Sequence, residues 1–222
     1  LEQKFEKSRF TRVDSDVIDR LIVKEEHKEA NLESNQREIL SSVFRSQLPQ
    51  IKKVEFNVET QALGENGAPI MITQSEYMRR MKEMANIQAG MSFYGEMPNM
   101  YNLVLNADHK LVKQVLTDAD NSCKAALEPI ESEMANLNNR RKELQKAQEG
   151  KKTEDIPQAE KDELNDIEKK ISDETTKKQA VLGEYANGNK IIHQLIDLAL
   201  LQNNMLKGEA LTNFVKRSIE LI

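Results

Sequence analysis

Two hydrophobic periods alternate along residues 34–122, which predicts a mixture of helices and strands. Apolar residues recur at helical spacing from Ile39 to Leu48, and a proline follows this stripe. From Val54 to Val58 apolar residues alternate with polar ones, which is the period of a half-buried strand. We therefore expect an α+β unit with a small sheet in this part of the chain.

The same unit contains a further predicted helix with its own start signal. Thr73 and Glu76 have the spacing of a capping box, so we expect a helix that runs from there to about Ala89. A glycine-rich turn precedes this region and indicates a change of direction after the first strand. The remaining predicted elements are a return strand at 69–72, a strand at 101–105 and a helix that begins at Asp108.

Residues 124–182 have a different pattern, because 26 of these 59 residues are charged and none is aromatic. Their apolar positions recur at heptad spacing in two successive helices. A stretch with Gly150 and Pro157 separates the helices, so we expect an inserted, coiled-coil-like antiparallel hairpin that protrudes from the fold. The apolar positions are Leu127, Ile130, Met134, Leu137 and Leu144 in the first helix, and Leu164, Ile167, Ile171 and Val181 in the second.

The last segment, residues 187–222, contains two helices that are rich in aliphatic residues. The first is apolar on nearly all sides, so contact with one neighbouring element does not account for its whole apolar surface. Such a helix pair packs readily against a second copy as a four-helix bundle, and we expect a homodimer. The alternative is that both faces pack within the chain. The predicted interface residues are Ile192, Leu195, Ile196, Leu198, Ala199, Leu201, Leu211, Phe214, Val215 and Ile219.

Methionine is concentrated in one window, because seven of the nine methionines lie within residues 71–100. Even spacing would place roughly one there. Unbranched, polarisable Met side chains adapt to many partner shapes, so a Met-rich amphipathic surface suits binding of partly unfolded client proteins. The alternative is that these side chains fill irregular gaps in a core. The candidate binding residues are Tyr77, Met78, Met81, Met84, Ile87, Met91, Phe93 and Tyr94.

Composition and charge narrow the classes of partner. The 222 residues carry a net charge of -5 at pH 7 with basic residues scattered among acidic ones, which argues against nucleic acid as a partner. No apolar run is long enough for a membrane span or a signal segment, so we expect no membrane contact. A single cysteine excludes a disulfide framework and fits a reducing compartment, so we expect a cytoplasmic protein.

No catalytic or metal-binding pattern is present in the sequence. The three histidines are isolated and belong to no HExxH or Cys/His cluster, so we expect no metal site. Cys123 has no activating partner nearby in sequence, and the glycines form no phosphate-binding loop. We therefore expect that this part of the protein is not an enzyme and binds no cofactor.

Four segments resemble the heat shock protein 90 chaperone family, and in particular the C-terminal part of its bacterial member. Their order along the chain adds to the resemblance. They are residues 10–14 (Phe-Thr-Arg-Val-Asp), 103–113 (Leu-Val-Leu-Asn-Ala-Asp-His-Lys-Leu-Val-Lys), 195–201 (Leu-Ile-Asp-Leu-Ala-Leu-Leu) and 211–219 (Leu-Thr-Asn-Phe-Val-Lys-Arg-Ser-Ile).

The resemblance implies an ATP-driven chaperone of which this chain is the C-terminal part. Residues 1–33 would be the end of the middle domain and a linker, and residues 34–222 the dimerisation domain, whose last two helices form the intermolecular bundle. ATP and magnesium would bind upstream, so the full-length parent would be an ATPase. The family also has a solvent-facing amphipathic helix that contacts clients, and residues 76–94 lie at that position. The hairpin at 124–182 is not part of the common family pattern.

A rival interpretation makes the chain a coiled-coil adaptor or scaffold. In that case the hairpin at 124–182 binds a partner and the α+β unit is only its base. Deleting the hairpin separates the two hypotheses, because a chaperone would still dimerise and hold clients.

Overall fold

The computed structural model describes residues 32–74, 76–85, 97–149 and 156–220. These ranges contain six helices and one three-stranded sheet, so the predicted α+β class is confirmed. None of these helices is both long and apolar enough to cross a membrane. The helices are α1 (Ser34–Ser46), α2 (Glu76–Ala85), α3 (Lys110–Gln148), α4 (Gln158–Gly188), α5 (Lys190–Gln202) and α6 (Glu209–Glu220), and the strands are β1 (Val54–Gln61), β2 (Ile70–Gln74) and β3 (Asn99–Asn106).

The sheet is mixed, and its strand order is β1-β3-β2. β3 lies in the centre, parallel to β1 with Val54 opposite Asn99 and antiparallel to β2 with Ile70 opposite Leu105. The predicted return strand at 69–72 is confirmed as β2, which runs opposite to β1 but does not pair with it. The strand β3 comes later in the chain but lies between β1 and β2, and its backbone pairs with both of them.

The prediction of a capping box at the start of α2 was wrong. Thr73 lies inside β2 opposite Asn102, where it is buried, and α2 begins at Glu76. A residue paired in a strand has no role as the N-cap of a helix that begins after that strand ends.

The core lies on the sheet and is covered by helices α1, α3, α4 and α5. The apolar stripe of α1 packs here as the spacing predicts, and its inward side chains are at most 2% exposed. Central β3 residues and the first half of α3 complete this core. The largest fully buried side chains are Phe44, Ile39, Leu40, Leu103, Leu105, Leu182, Ile192, Ile196, Leu200, Val43, Val104 and Val112.

Helix α3 continues from the core into a segment that packs only with α4. It begins at the N-cap His109, whose Nδ1 accepts a hydrogen bond from the Leu111 amide at 3.2 Å. At 1.5 Å per residue its 39 residues span about 58 Å. Beyond the main core, a second small apolar cluster joins the two helices, and Arg140 Nε donates to Glu163 Oε1 at 2.7 Å. The second cluster is Leu137, Leu144 and Ile167, with Ile171 packed against it.

These contacts run in opposite directions along the two helices, because later residues of α3 meet earlier residues of α4. The predicted protrusion of the pair stays a prediction, and so do the domain boundaries. Residues 1–31, which include most of the predicted end of a middle domain, lie outside the described residues.

Candidate interaction surfaces

Helices α5 and α6 form an antiparallel pair that is held together by polar contacts. Lys190 Nζ donates to Glu220 Oε2 at 2.7 Å near one end of the pair. Gln194 Nε2 donates to Ser218 Oγ at 2.6 Å, and Arg217 forms an ion pair with the Asp197 carboxylate further along. The polar side of α5 therefore faces α6, and the apolar side of α5 faces the core.

The core side of α5 contains several residues that the sequence suggested for a dimer interface. Their helical spacing places them on one face, which packs in the main core cluster with residues of the sheet, α3 and α4. Their side chains are buried within the single chain, so they support α5 from beneath and offer no surface to a partner. These residues are Ile192, Leu195, Ile196 and Ala199, at 0 to 4% exposure.

Four apolar side chains of the same helix pair remain exposed, and we call them the apolar flank. Exposure is 37% for Leu198 and for Leu201, 49% for Val215 and 70% for Ile219. They make up four of the five large exposed apolar side chains in the described part of the chain. Exposed apolar residues concentrated on one helix pair indicate a contact surface, whereas scattered ones do not.

Helical geometry places two residues of the apolar flank on one face of α6. Val215 and Ile219 are four residues apart, so they stack on one face of α6. On α5, Leu198 and Leu201 are exposed beside Gln194 and Asp197, whose side chains contact α6. The remaining two predicted residues, Leu211 and Phe214, are half-buried against the core, and α6 has no fully buried residue.

Helix α2 carries the described part of the methionine-rich segment. Met84 is 42% exposed, whereas Met81 is half-buried. Lys82 anchors the helix to the sheet, since its Nζ donates to Asn99 Oδ1 at 2.7 Å. Partial burial, with a smaller effect of the nearby charge on Lys53, lowers the pKa of Lys82. With this contact in place, Met84 remains open to solvent.

The other predicted client-contacting residues stay predictions. The side chains of Tyr77 and Met78 lie outside the described residues, and so do Ile87, Met91, Phe93 and Tyr94.

Cys123 is a buried thiol, and this burial raises its pKa, with a further increase from the nearby Asp120 carboxylate. A buried thiol with a raised pKa is a poor nucleophile. In the described ranges no group of three or more His, Cys, Asp or Glu side chains is placed to hold a metal ion. His193 Nε2 lies 3.1 Å from the backbone carbonyl of Asn187 within the same helical region.

One functional candidate was missed in the sequence, the buried lysine Lys178 of α4. It is 4% exposed, and its Nζ donates to Asn35 Oδ1 and to Glu38 Oε2, both at 3.0 Å. The Glu131 carboxylate of α3 lies 3.2 Å from the same ammonium group. Lys178 lies seven residues after Ile171, so it continues the heptad spacing of the apolar positions in α4. This spacing is the sequence signal from which its burial could have been predicted.

Comparison with known proteins identifies relatives along the whole chain. The chain is 69% identical over all 222 residues to the chaperone protein HtpG of Bacteroides fragilis and 67% identical to that of Bacteroides thetaiotaomicron. It is 46% identical over 224 aligned residues to the HtpG protein of Porphyromonas gingivalis. All of the chain is covered in each case, but it spans only about one third of the length of these relatives, 33%, 33% and 32% respectively. No family model matches the chain, and no solved structure matches it.

Proposed function

Since the chain belongs to the HtpG family of chaperone proteins, to which it is related along its whole length, we propose that it is the C-terminal part of such a chaperone that dimerises and contacts clients. In this proposal it performs no catalysis itself. ATP with magnesium would bind elsewhere in the full-length cytoplasmic protein, which would be the ATPase. Two copies joined here would keep the ATP-binding parts of both subunits at high effective concentration.

The apolar flank is the observation that carries this proposal. Each aliphatic side chain that is moved from water into a packed interface contributes about 1.5 to 3 kcal/mol. Two copies of the flank facing each other across a two-fold axis would cover Leu198, Val215 and Ile219 of both chains. The core residues beneath, such as Leu195 and Ile196, would keep the helix pair in place without touching the partner.

The experiment is to replace Ile219 by Asp in the full-length protein and to measure its mass by sedimentation. A carboxylate at this position would be desolvated in the interface, so we expect the dimer dissociation constant to rise at least about a hundredfold. Ile219 is the most exposed residue of the flank, so the monomer itself should fold normally.

Asn213→Asp is the matched control, because it adds the same charge to an exposed position about 120° around α6 from Ile219. It should leave the dimer intact. A dimer that persists unchanged with Asp at 219, or that dissociates equally with Asp at 213, would contradict the assignment of the flank.

The client-contacting role rests on the exposure of Met84 and on the density of methionines around α2. An exposed flexible thioether packs against varied apolar segments, which partly unfolded proteins present. A second proposal, the adaptor, is supported by the separate apolar cluster in the distal part of α3 and α4, which lets that pair hold its shape away from the core.

A further inference from the structure

We propose that the distal α3–α4 pair is an arm that hinges where it leaves the core, and that Lys178 holds this hinge at one angle. We define the arm as residues 130–149 and 156–177, and the body as the other described residues. This inference does not rest on the dimer or on client binding. It follows from three features near the place where α3 and α4 leave the core. They are residues that favour helix bending, an interruption in the buried apolar side chains, and one buried lysine that forms ion pairs.

The first observation is a proline in the middle of α3. Pro129 has no amide hydrogen, so the carbonyl of Ala125 loses its helical hydrogen bond, and the proline ring crowds that carbonyl. Prolines are the commonest cause of bends in long helices. This one lies two residues after Leu127, the last α3 residue in the main core cluster.

The second observation is a pair of threonines in α4, within one turn of Lys178. Thr175 Oγ1 donates to the carbonyl of Ile171 at 2.7 Å, and Thr176 Oγ1 donates to that of Ser172 at 2.9 Å. Hydroxyls that bond to the carbonyl four residues earlier compete with the backbone amide and favour bending. Each helix therefore has a residue that favours bending within one turn of the Lys178–Glu131 contact, although the affected carbonyls lie on opposite sides of it.

The third observation is that apolar packing is interrupted there. In α4 no apolar side chain is fully buried between Ile167 and Leu182, and in α3 none is fully buried between Leu127 and Leu137. The main core ends on one side of this gap and the small distal cluster begins on the other. The apolar side chains in the gap, such as Ile130 and Met134, are half-buried, so packing there is looser than in either cluster.

Open space flanks the gap on two sides. A groove of about 380 Å³ lies between α1 and α3, with Ile39 and Leu127 in its lining, and a second of about 590 Å³ lies between α3 and α4 around Leu137 and Thr176. The arm has room to tilt toward the first groove, whereas the second lies between the two helices of the arm itself.

Lys178 is the fully buried side chain of α4 within this gap, and it joins three helices. Its ammonium group binds Asn35 and Glu38 of α1 and Glu131 of α3, so it links α1 to α4 at the base of the arm and to the α3 helix of the arm. The two carboxylates are half-exposed, at 49% and 37%. When the contact opens, water reaches the Glu38 carboxylate, whereas the buried Glu131 Oε1 loses its charged neighbour, so opening has an energetic cost.

Because the arm is long, a small bend at the hinge moves its far end by a large distance. The 20 residues from Pro129 to the end of the helical arm span about 30 Å, so a tilt of about 20° moves the far end by about 10 Å. A tilt of this size changes what the charged faces of the arm reach.

The test measures the arm angle in the full-length protein by pulsed electron spin resonance. Genetically encoded spin labels are placed at the exposed positions Asn139 on the arm and Lys52 on the body. Excess unlabelled protein is added so that the distances are within one chain. Lys178→Met keeps the aliphatic length and removes the ammonium group, and we expect the distance distribution to broaden roughly twofold.

Lys177→Met is the matched control, because the neighbouring lysine is 62% exposed and forms its ion pair with Glu174 of its own helix. It should leave the distribution unchanged. Adding Pro129→Ala to Lys178→Met restores a helical hydrogen bond, and it should narrow the distribution again. An unchanged width with Lys178→Met, equal broadening with Lys177→Met, or a double variant as broad as Lys178→Met overturns the proposal.

Should Lys178→Met fail to fold, Glu131→Gln decides the question. It removes one charge on the α3 side of the contact and leaves Asn35 and Glu38 in place. A broadened distribution in this folded variant supports the hinge, and an unchanged one overturns it.

Discussion

At the scale of single residues, Asn106 fixes the connection between β1 and β2. It is fully buried at the end of β3. Its Oδ1 accepts from the Leu63 and Asp108 amides, both at 3.1 Å, and its Nδ2 donates to the Gly64 carbonyl at 2.9 Å. One amide side chain thus satisfies backbone groups from two segments that lie about forty residues apart in sequence.

Replacing Asn106 by Leu should destabilise the protein by about 3 kcal/mol, because it leaves buried backbone donors and an acceptor without partners. Urea unfolding followed by circular dichroism measures this change. Asn139→Leu, at an exposed position of α3, is the control and should change the stability by less than about 0.5 kcal/mol. Equal stability of the two variants would show that water satisfies the Asn106 partners.

Neighbouring residues of the same type show what sequence could not reveal at this scale. Lys177 and Lys178 have similar surroundings in the sequence, yet one is exposed and the other is buried against α1. The difference arises from Asn35 and Glu38, about 140 residues away in the chain. Local periodicity carries no information about such distant partners.

At the scale of secondary-structure elements, local pattern identified the strands and most helices but not their neighbours. The alternation around Val58 and the stripe of Ile39 to Phe44 predicted β1 and the core face of α1. The order of the strands depends on β3, which pairs with residues far from it in sequence. The apolar density of α5 likewise could not distinguish the residues beneath the helix from Leu198 on its outer side.

Helix α2 allows a direct test of the client-contacting surface. Replacing Met81 and Met84 together by Ser should reduce, by at least about threefold, the protection of a thermally unfolding client from aggregation, because two adaptable apolar contacts are lost. Light scattering of the client with increasing chaperone measures this protection. The melting temperature should change little, since Met84 is exposed and Met81 is only half-buried.

Met134→Ser in α3 serves as the control for this change, since it removes a half-buried methionine from the arm. Full client protection is expected there. A large fall in the melting temperature of the α2 variant would instead mean that its methionines fill the core.

At the scale of the whole molecule, the body and the distal α3–α4 pair have separate apolar clusters. The chaperone hypothesis requires the body for function, whereas the adaptor hypothesis requires the distal α3–α4 pair. Replacing residues 135–172 by a short Gly/Ser turn removes the small cluster and retains Lys178 with Glu131. We expect this variant to dimerise with an unchanged dissociation constant and to keep protecting clients from aggregation. Sedimentation and the light-scattering assay check both expectations.

The same replacement with a turn of twice the length is its control, since two turns with the same result exclude an effect of loop strain. A shortened protein that folds and dimerises but no longer holds clients would favour the adaptor hypothesis.

The central position of β3 has a consequence for synthesis on the ribosome. The first two strands emerge early, but neither can form its ladder until residues 99–106 have also left the exit tunnel. During this interval the apolar residues of β2 and the following methionines are exposed together in a nascent polypeptide. A protein proposed to shield unfinished chains would itself pass through a stage in which it needs such shielding.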